Sequence, residues 1–434
     1  MGSIRSLVRS FAYLSLLIGL TFTLVGLGGC SGGPSPTLAQ LYTTTPTQAQ
    51  VAATATATPT ATAPAAAHLP SQAAPETASL TPSPQASATR PPAEPTAEII
   101  DEPETADDLP VSGPISGPDF LPGVNPLTGL PVSDAAVLER CPAAIKVSNA
   151  PAVVRPQAGL NQADLVFEHY AEGGVTRLTA VFLGQTPTMV GSVRSGRLID
   201  LEIPAMFKAI FAYSGTSAGV GELYSASDLW PDQIANPWGT ASAAYYRRDL
   251  DRPYEHTLFV NPTALWAEAE RRGISGRQDL RGLTFDPAPP NGGAPAQDAL
   301  ILYQAGISQV QWVYDASDGR YYRWQGGAAH HDELSGAQLS TANVIVVAAN
   351  HVETKILEDT WGGGHYSIEI HIWGEGPVSM FRDGQRYDGV WQRWDRGDLL
   401  SFWTKDKSQR LPLKPGNSWL QMVPLGFTGL IVSP

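Results

Sequence analysis

The chain has 434 residues, of which 43% are hydrophobic and 16% charged, enough apolar material to exclude wholesale disorder and, at about 150 residues per domain, too much length for one ordinary domain. Its 28 basic and 41 acidic residues leave a net charge of −13, the wrong sign for neutralising phosphates, which argues against a nucleic-acid partner. Two cysteines, Cys30 and Cys141, can build neither a disulfide framework nor a four-cysteine metal site.

Residues 1–30 read as a lipoprotein signal peptide. Arg5 and Arg9 form the positive start, Phe11 to Leu27 the apolar stretch, and Leu27-Gly28-Gly29-Cys30 looks like a lipobox. Its small residues admit a peptidase, and its cysteine would be the lipid attachment point. The alternative is an uncleaved N-terminal membrane helix. Either way the remainder is exported, which predicts a lipid-anchored protein on the extracytoplasmic face of the cell membrane. From Ser31 to Pro110, 54 of 80 residues are Ala, Thr, Pro or Ser, a composition that cannot build a core, so residues 31–118 are expected to be a disordered stalk.

All eleven tryptophans lie beyond residue 229, within the part expected to be globular. In residues 119–281, Ala163–Tyr170, Leu178–Leu183 and Ala209–Tyr213 read as strands. Asn261-Pro262 before Thr263–Arg272 and Gly273 carries the cap, early proline and terminal glycine of a helix. Residues 282–296, with four prolines and three glycines, read as a linker. Residues 297–434 read as mostly β, with strands at Val310–Tyr314, Tyr321–Trp324, Val344–Ala348, Tyr366–Trp373 and Trp419–Val423.

Several motifs then become specific. Asn125-Pro-Leu-Thr-Gly-Leu130, Arg155-Pro-Gln-Ala-Gly-Leu160, Ala163-Asp-Leu-Val-Phe-Glu168, Glu172-Gly-Gly-Val-Thr-Arg177 and Gly191-Ser-Val-Arg-Ser-Gly-Arg197 resemble the YerB-like lipoprotein family, known as a domain of unknown function. Tyr314-Asp315, His331-Asp332, Asn343-Val-Ile-Val346 and Pro415-Gly-Asn-Ser-Trp419 follow in the order of that family's C-terminal domain. The resemblance implies an α+β fold, with a layered ββα-type N-terminal domain and a smaller β-rich C-terminal domain, and it implies no activity. Gly196 departs from the family's more frequent alanine, a difference expected to be harmless.

The candidate ligand-binding residues are Glu168, Glu172, Arg177, Arg194, Ser195, Arg197, Ser217 and His256. Arg194 and Arg197, either side of Ser195-Gly196, can present two planar guanidiniums suited to carboxylate or phosphate. Glu168 and Glu172 flank a turn leading to Arg177 and can pair with those arginines instead, so a structural ion-pair network and a ligand cleft both remain open. Gly215-Thr-Ser217-Ala-Gly219 matches the nucleophile-elbow pattern, with Asp251 and His256 downstream, but the five-residue spacing of those two is odd for triad partners. A capping or ligand-binding Ser217 is the plainer reading. Glu369 and His371, two apart on a strand, form too thin a set for a metal site, and no cofactor is expected. Two functions are therefore carried forward. One is a tethered envelope module binding an anionic or polar ligand, peptidoglycan among the possibilities, and the other is an envelope hydrolase using Ser217 or the Glu168 and Glu172 carboxylates.

Overall fold

Three adjacent strands of the N-terminal half, Ala143–Ser148 (β1), Leu165–Tyr170 (β2) and Thr176–Phe182 (β3), are buried along their whole length, which is why their sequences run nearly continuously apolar instead of alternating. The computed structural model describes residues 115–116, 122–238, 240–303 and 308–434; Cys30, the signal segment and nearly all of the expected stalk lie outside them. The stalk's end does not stay apart from the fold: Ile115–Ser116 pairs antiparallel with Thr284–Phe285.

Strands β2 and β3 form an antiparallel hairpin through a turn in which Gly173 and Gly174 take φ of 69° and 72°, values that only glycine adopts without strain. β3 pairs with β1, and β1 continues in parallel to Ile210–Ala212 (β4) and then Ile234–Ala235 (β5). The helices are Ile203–Phe207 (α1), Ala218–Ala226 (α2) and Pro262–Arg271 (α3). As its cap sequence predicts, α3 begins with the Asn261 side chain accepting from the Ala264 amide at 3.2 Å.

The C-terminal half supplies Asp298–Ile301 (β6), Val310–Asp315 (β7), Arg320–Gln325 (β8), Ala328–Ala329 (β9), Asn343–Asp359 (β10), His365–His371 (β11), Gly374–Arg382 (β12), Gln385–Arg393 (β13), Ser418–Pro424 (β14) and Leu430–Ser433 (β15). β14 lies between β10 and β2, parallel to both, with Val344 beside Trp419, Trp419 beside Val166 and Gln421 beside Glu168. One twelve-stranded mixed sheet therefore runs from Ala294–Pro295 through β13-β12-β10-β14-β2-β3-β1-β4-β5, with β11 paired to β10 and Ser401–Thr404 to β13. A six-stranded sheet, β9-β8-β7-β6-β15 with Ser340–Thr341 on β8, packs beside it.

This overturns the expected α+β fold with a layered ββα-type N-terminal domain: the protein is mostly β, in large mixed sheets. Among the described residues there are three α-helices, of five, nine and ten residues, and the large sheet draws strands from both halves. The physical reason is twofold. Pro and Gly recur every few residues between the N-terminal strands, so the connections there close into short 3-10 turns, as at Ala152–Val154, Leu160–Gln162 and Leu198–Leu201, instead of forming a helical layer. β14 is apolar on both faces and finds two neighbours only by inserting beside β2. The two apolar clusters, one containing Phe167, Phe211 and Met422 and the other Val166, Ile145, Trp312 and Trp419, each draw on both halves.

Candidate functional site

Side chains alternate across a sheet, so the consecutive Glu168 and His169 of β2 point to opposite faces. The register places His169 opposite Arg177 and Lys146 opposite Thr179. These four share one face, and Glu168 occupies the other.

On the first face Lys146, fully buried, donates to Asp200 at 2.8 Å and to Thr179 at 3.0 Å, and its Nζ lies 2.5 Å from His169 Nε2. The Nδ1–H of His169 is engaged by the Tyr170 carbonyl at 2.8 Å, leaving Nε2 to accept from the ammonium. Burial, opposed by Asp200, lowers Lys146 to about 8. Burial and the Lys146 charge hold His169 well below the usual imidazole range.

Next to this group, the Glu172 carboxylate sits between two guanidiniums. It accepts from Arg177 Nη2 at 2.7 Å and from Arg197 Nε at 2.6 Å, with a further contact to Arg197 Nη2. Burial alone would raise its pKa, but Arg177 and Arg197 overcome that and hold it at about 2. Arg177 Nη1 also donates to the Ser195 carbonyl at 3.1 Å, and Arg197 Nη1 lies 3.6 Å from Glu358 of β10. Burial and the neighbouring Arg197 lower Arg177 to about 9, so it remains charged at neutral pH. Lys146, Arg177 and Arg197 are thus matched by Asp200, Glu172 and Glu358.

Arg194 is the cation that this matching leaves over. Its loop is laced to β1 and to the turn before α2: the Arg194 amide donates to the Lys146 carbonyl at 3.0 Å, Ser214 N donates to the Arg194 carbonyl at 3.0 Å, and Gly196 N donates to the Gly215 carbonyl at 2.9 Å. The half-buried guanidinium donates to the Glu255 backbone carbonyl at 3.2 Å, and among the described residues no carboxylate pairs with it. Burial and Arg197 lower its pKa. The next residue, His256, is 6% exposed, and its Nδ1 has no partner among the described residues. Burial and the Arg194 charge lower its pKa, keeping the imidazole neutral at pH 7. Ser217 caps α2 without a side-chain hydrogen bond, and its buried Oγ also lacks a partner among the described residues. An unmatched guanidinium, two unpartnered polar atoms and a helix N-terminus suit an anion.

The single expected cleft is therefore divided. Glu172, Arg177, Arg197 and the Ser195 carbonyl come together as a closed ion-pair group, with Arg194, His256 and the Ser217 turn beside it. Glu168 belongs to the opposite face, where it lies 2.9 Å from Arg323 and accepts from Asn149 at 3.0 Å and Thr176 at 2.7 Å. Gly196 also departs from expectation: a Cβ there would come 2.4 Å from the hydroxyl of buried Tyr224, which donates to the Arg197 carbonyl at 2.8 Å. An alanine would therefore have to displace that ring. Sequence reasoning missed Lys146, His169, Asp200, Glu358 and Arg323. A lysine and an arginine within strand-like runs were the visible signals, but their partners lie far away in the chain.

The hydrolase geometry is not met. Ser217 has relaxed backbone angles, φ −63° and ψ 162°, unlike the strained serine of a nucleophile elbow. Among the described residues neither its Oγ nor His256 Nδ1 has a hydrogen-bond partner, and Asp251 is exposed. Glu168 and Glu172, on opposite faces and each engaged by arginine, cannot act as an acid and base pair. Cys141 is fully buried, and burial raises its thiol pKa.

The family described as protein of unknown function (DUF3048) matches this chain twice, its N-terminal domain at residues 127–275 and its C-terminal domain at residues 300–420. A protein of Bacillus subtilis (strain 168) named "Putative lipoprotein YerB" is 28% identical over 301 residues, 69% of this chain and 86% of that protein. A crystal structure of the YerB protein from Bacillus subtilis aligns with a TM-score of 0.57 at 26% identity, covering 72% of this chain and 99% of that one. With both domain models matched in order and a relative alike over most of its length, the chain belongs to the YerB-like DUF3048 family.

Proposed function

We propose that this protein is a lipid-anchored module of the cell envelope, held outside the cytoplasmic membrane by Cys30, and that it binds an anionic envelope ligand through Arg194 with Ser217 and His256. The observation that carries the binding reading is the half-buried Arg194 guanidinium, which no described carboxylate matches although three neighbouring cations are each matched. Leu27-Gly28-Gly29-Cys30 and the lipoprotein name of the Bacillus subtilis relative support the anchor. Peptidoglycan fragments, which carry carboxylates, are one ligand of the right charge.

The two parts are tested separately. Soluble muropeptides and inorganic phosphate are titrated into the wild-type globular part and into Arg194→Ala. The variant should bind at least about tenfold more weakly, the loss of one charge-assisted pair, with its melting temperature within a few degrees of wild type. Equal binding, or a collapse in stability, would mean that Arg194 serves the fold. Cys30→Ala should move the full chain from the membrane to the soluble fraction, and retention in the membrane as firm as wild type would refute the anchor.

A further inference from the structure

A cavity of about 640 Å³ lies where the halves meet, lined by Ala152, Arg155 and Pro156 from one and by Ala328, Ala329 and His331 from the other. This size falls within the range of about 300–1,000 Å³ typical of ligand pockets. Arg155 is half-buried, and its guanidinium touches the Gln325 backbone carbonyl at 3.4 Å. Among the described residues no carboxylate pairs with it.

The charge behind the wall does not neutralise it. Glu168 is engaged by Arg323, Asn149 and Thr176. His330 accepts from Arg323 Nε at 3.0 Å through Nδ1, so its Nε2–H faces Gln157 Oε1 at 2.6 Å. Burial, Arg323 and Arg155 together keep that ring neutral. Arg323 Nη1, in a fully buried side chain, has no hydrogen-bond partner among the described residues. The cluster of Arg155, Arg323 and Glu168 thus keeps one positive charge in excess, on Arg155 at the cavity.

The other wall is a sheet edge. β9 is the outermost strand of the six-stranded sheet. His330 N donates to the Arg323 carbonyl at 3.1 Å, and Ala329 stands one residue out of that hydrogen-bonded position, opposite Trp324. In an antiparallel ladder such a residue turns its own N–H and C=O away from its partner. The edge at Ala329 can therefore take another strand, and the alanine, glycine and proline walls leave room for small side chains.

We propose that this cavity binds the C-terminal end of an extended peptide with small side chains, which adds as a strand beside Ala329 and places its terminal carboxylate on Arg155. Charge complementarity favours a carboxylate, and the free edge favours a peptide over a compact anion.

The test titrates N-acetyl-trialanine as the free acid and as the C-terminal amide, with inorganic phosphate as the compact competitor. The acid should bind, the amide about tenfold more weakly or worse, and Arg155→Met should show the same loss of affinity for the acid with an unchanged melting temperature. An N-methylated peptide unable to pair with Ala329 should also lose binding. Arg194→Ala should bind the peptide like wild type, so this site stands or falls apart from the Arg194 site. No binding of the acid, equal binding of acid and amide, wild-type affinity in Arg155→Met, no effect of N-methylation, or displacement of the peptide by phosphate would each overturn the assignment.

Discussion

Glu172→Gln is expected to destabilise the protein by about 3–5 kcal/mol at neutral pH, the usual cost of breaking a buried ion pair from one side. The Glu172 side chain is 11% exposed, and Arg177 and Arg197 beside it are 9% and 7% exposed. The amide would leave two desolvated guanidiniums with Glu358 and backbone carbonyls as acceptors. The depressed pKa of Glu172 expresses the same pairing as a dependence on pH. Its pKa falls from the usual 4.5 to about 2 on folding, a difference worth about 3 kcal/mol. Because the folded value is depressed, this contribution is fully present above pH 4.5 and is lost as the pH falls toward 2. Denaturant midpoints of wild type and variant should therefore differ by a constant amount above about pH 5 and converge near pH 2. Asp164, raised to about 6 by burial, has the opposite pH dependence, but it is present in both proteins and cancels in the difference. A gap below about 1 kcal/mol, or one that persists at pH 2, would contradict the clamp. The contrast with Arg194→Ala, expected to cost binding and little stability, separates the closed ion-pair group from the open site.

The same alternation explains what the sequence could and could not reveal. The runs at 165–170, 176–182 and 418–424 are visible as strands because burial on both faces leaves few polar interruptions, and α3 is visible from Asn261. Strand β10 is legible from residue 343 to about 349, where it is buried, and illegible beyond, where it runs on to Asp359 with polar residues and mixed exposure. Placing Glu168 with Glu172 and Arg177 treated nearness in sequence as nearness in space. Period two within β2 assigns Glu168 and His169 to different faces, and Arg177 falls opposite His169. The partners Asp200, Glu358 and Arg323 stand 54, 161 and 155 residues from Lys146, Arg197 and Glu168, and no local pattern specifies such pairings. Sheet order is hidden for the same reason, since nothing near Ser418–Pro424 shows that its neighbour is Leu165–Tyr170.

That insertion also decides how the chain can be divided. Cut between Pro290 and Asn291, within the 282–296 segment, neither half is expected to fold alone, although the family matches begin and end on either side of it. Without β14, β2 becomes an open, apolar edge, a template for aggregation. Val166, Phe167 and their neighbours lose Trp419, Leu420 and Met422 from the shared clusters, at about 1.5–3 kcal/mol for each large apolar side chain returned to water. Among the described residues six charge pairs also cross the cut; the most buried are Glu168 with Arg323 at 2.9 Å, Glu202 with Arg393 at 2.7 Å, and Arg197 with Glu358 at 3.6 Å. The first is fully buried on both sides, so separation leaves Glu168 without its cation in the remaining core, a loss of about 3–5 kcal/mol by itself. Together these terms are of the same size as the roughly 5–15 kcal/mol that stabilises a typical domain. Residues 119–290 and 291–434 expressed apart should therefore lack a cooperative melt and bind a hydrophobic dye, whereas co-expression should return one folded complex containing both. A cooperative melt of 119–290 alone within a few degrees of the intact protein would show that the N-terminal sheet is complete without β14, and would bear out the two-domain reading that the 282–296 linker suggests.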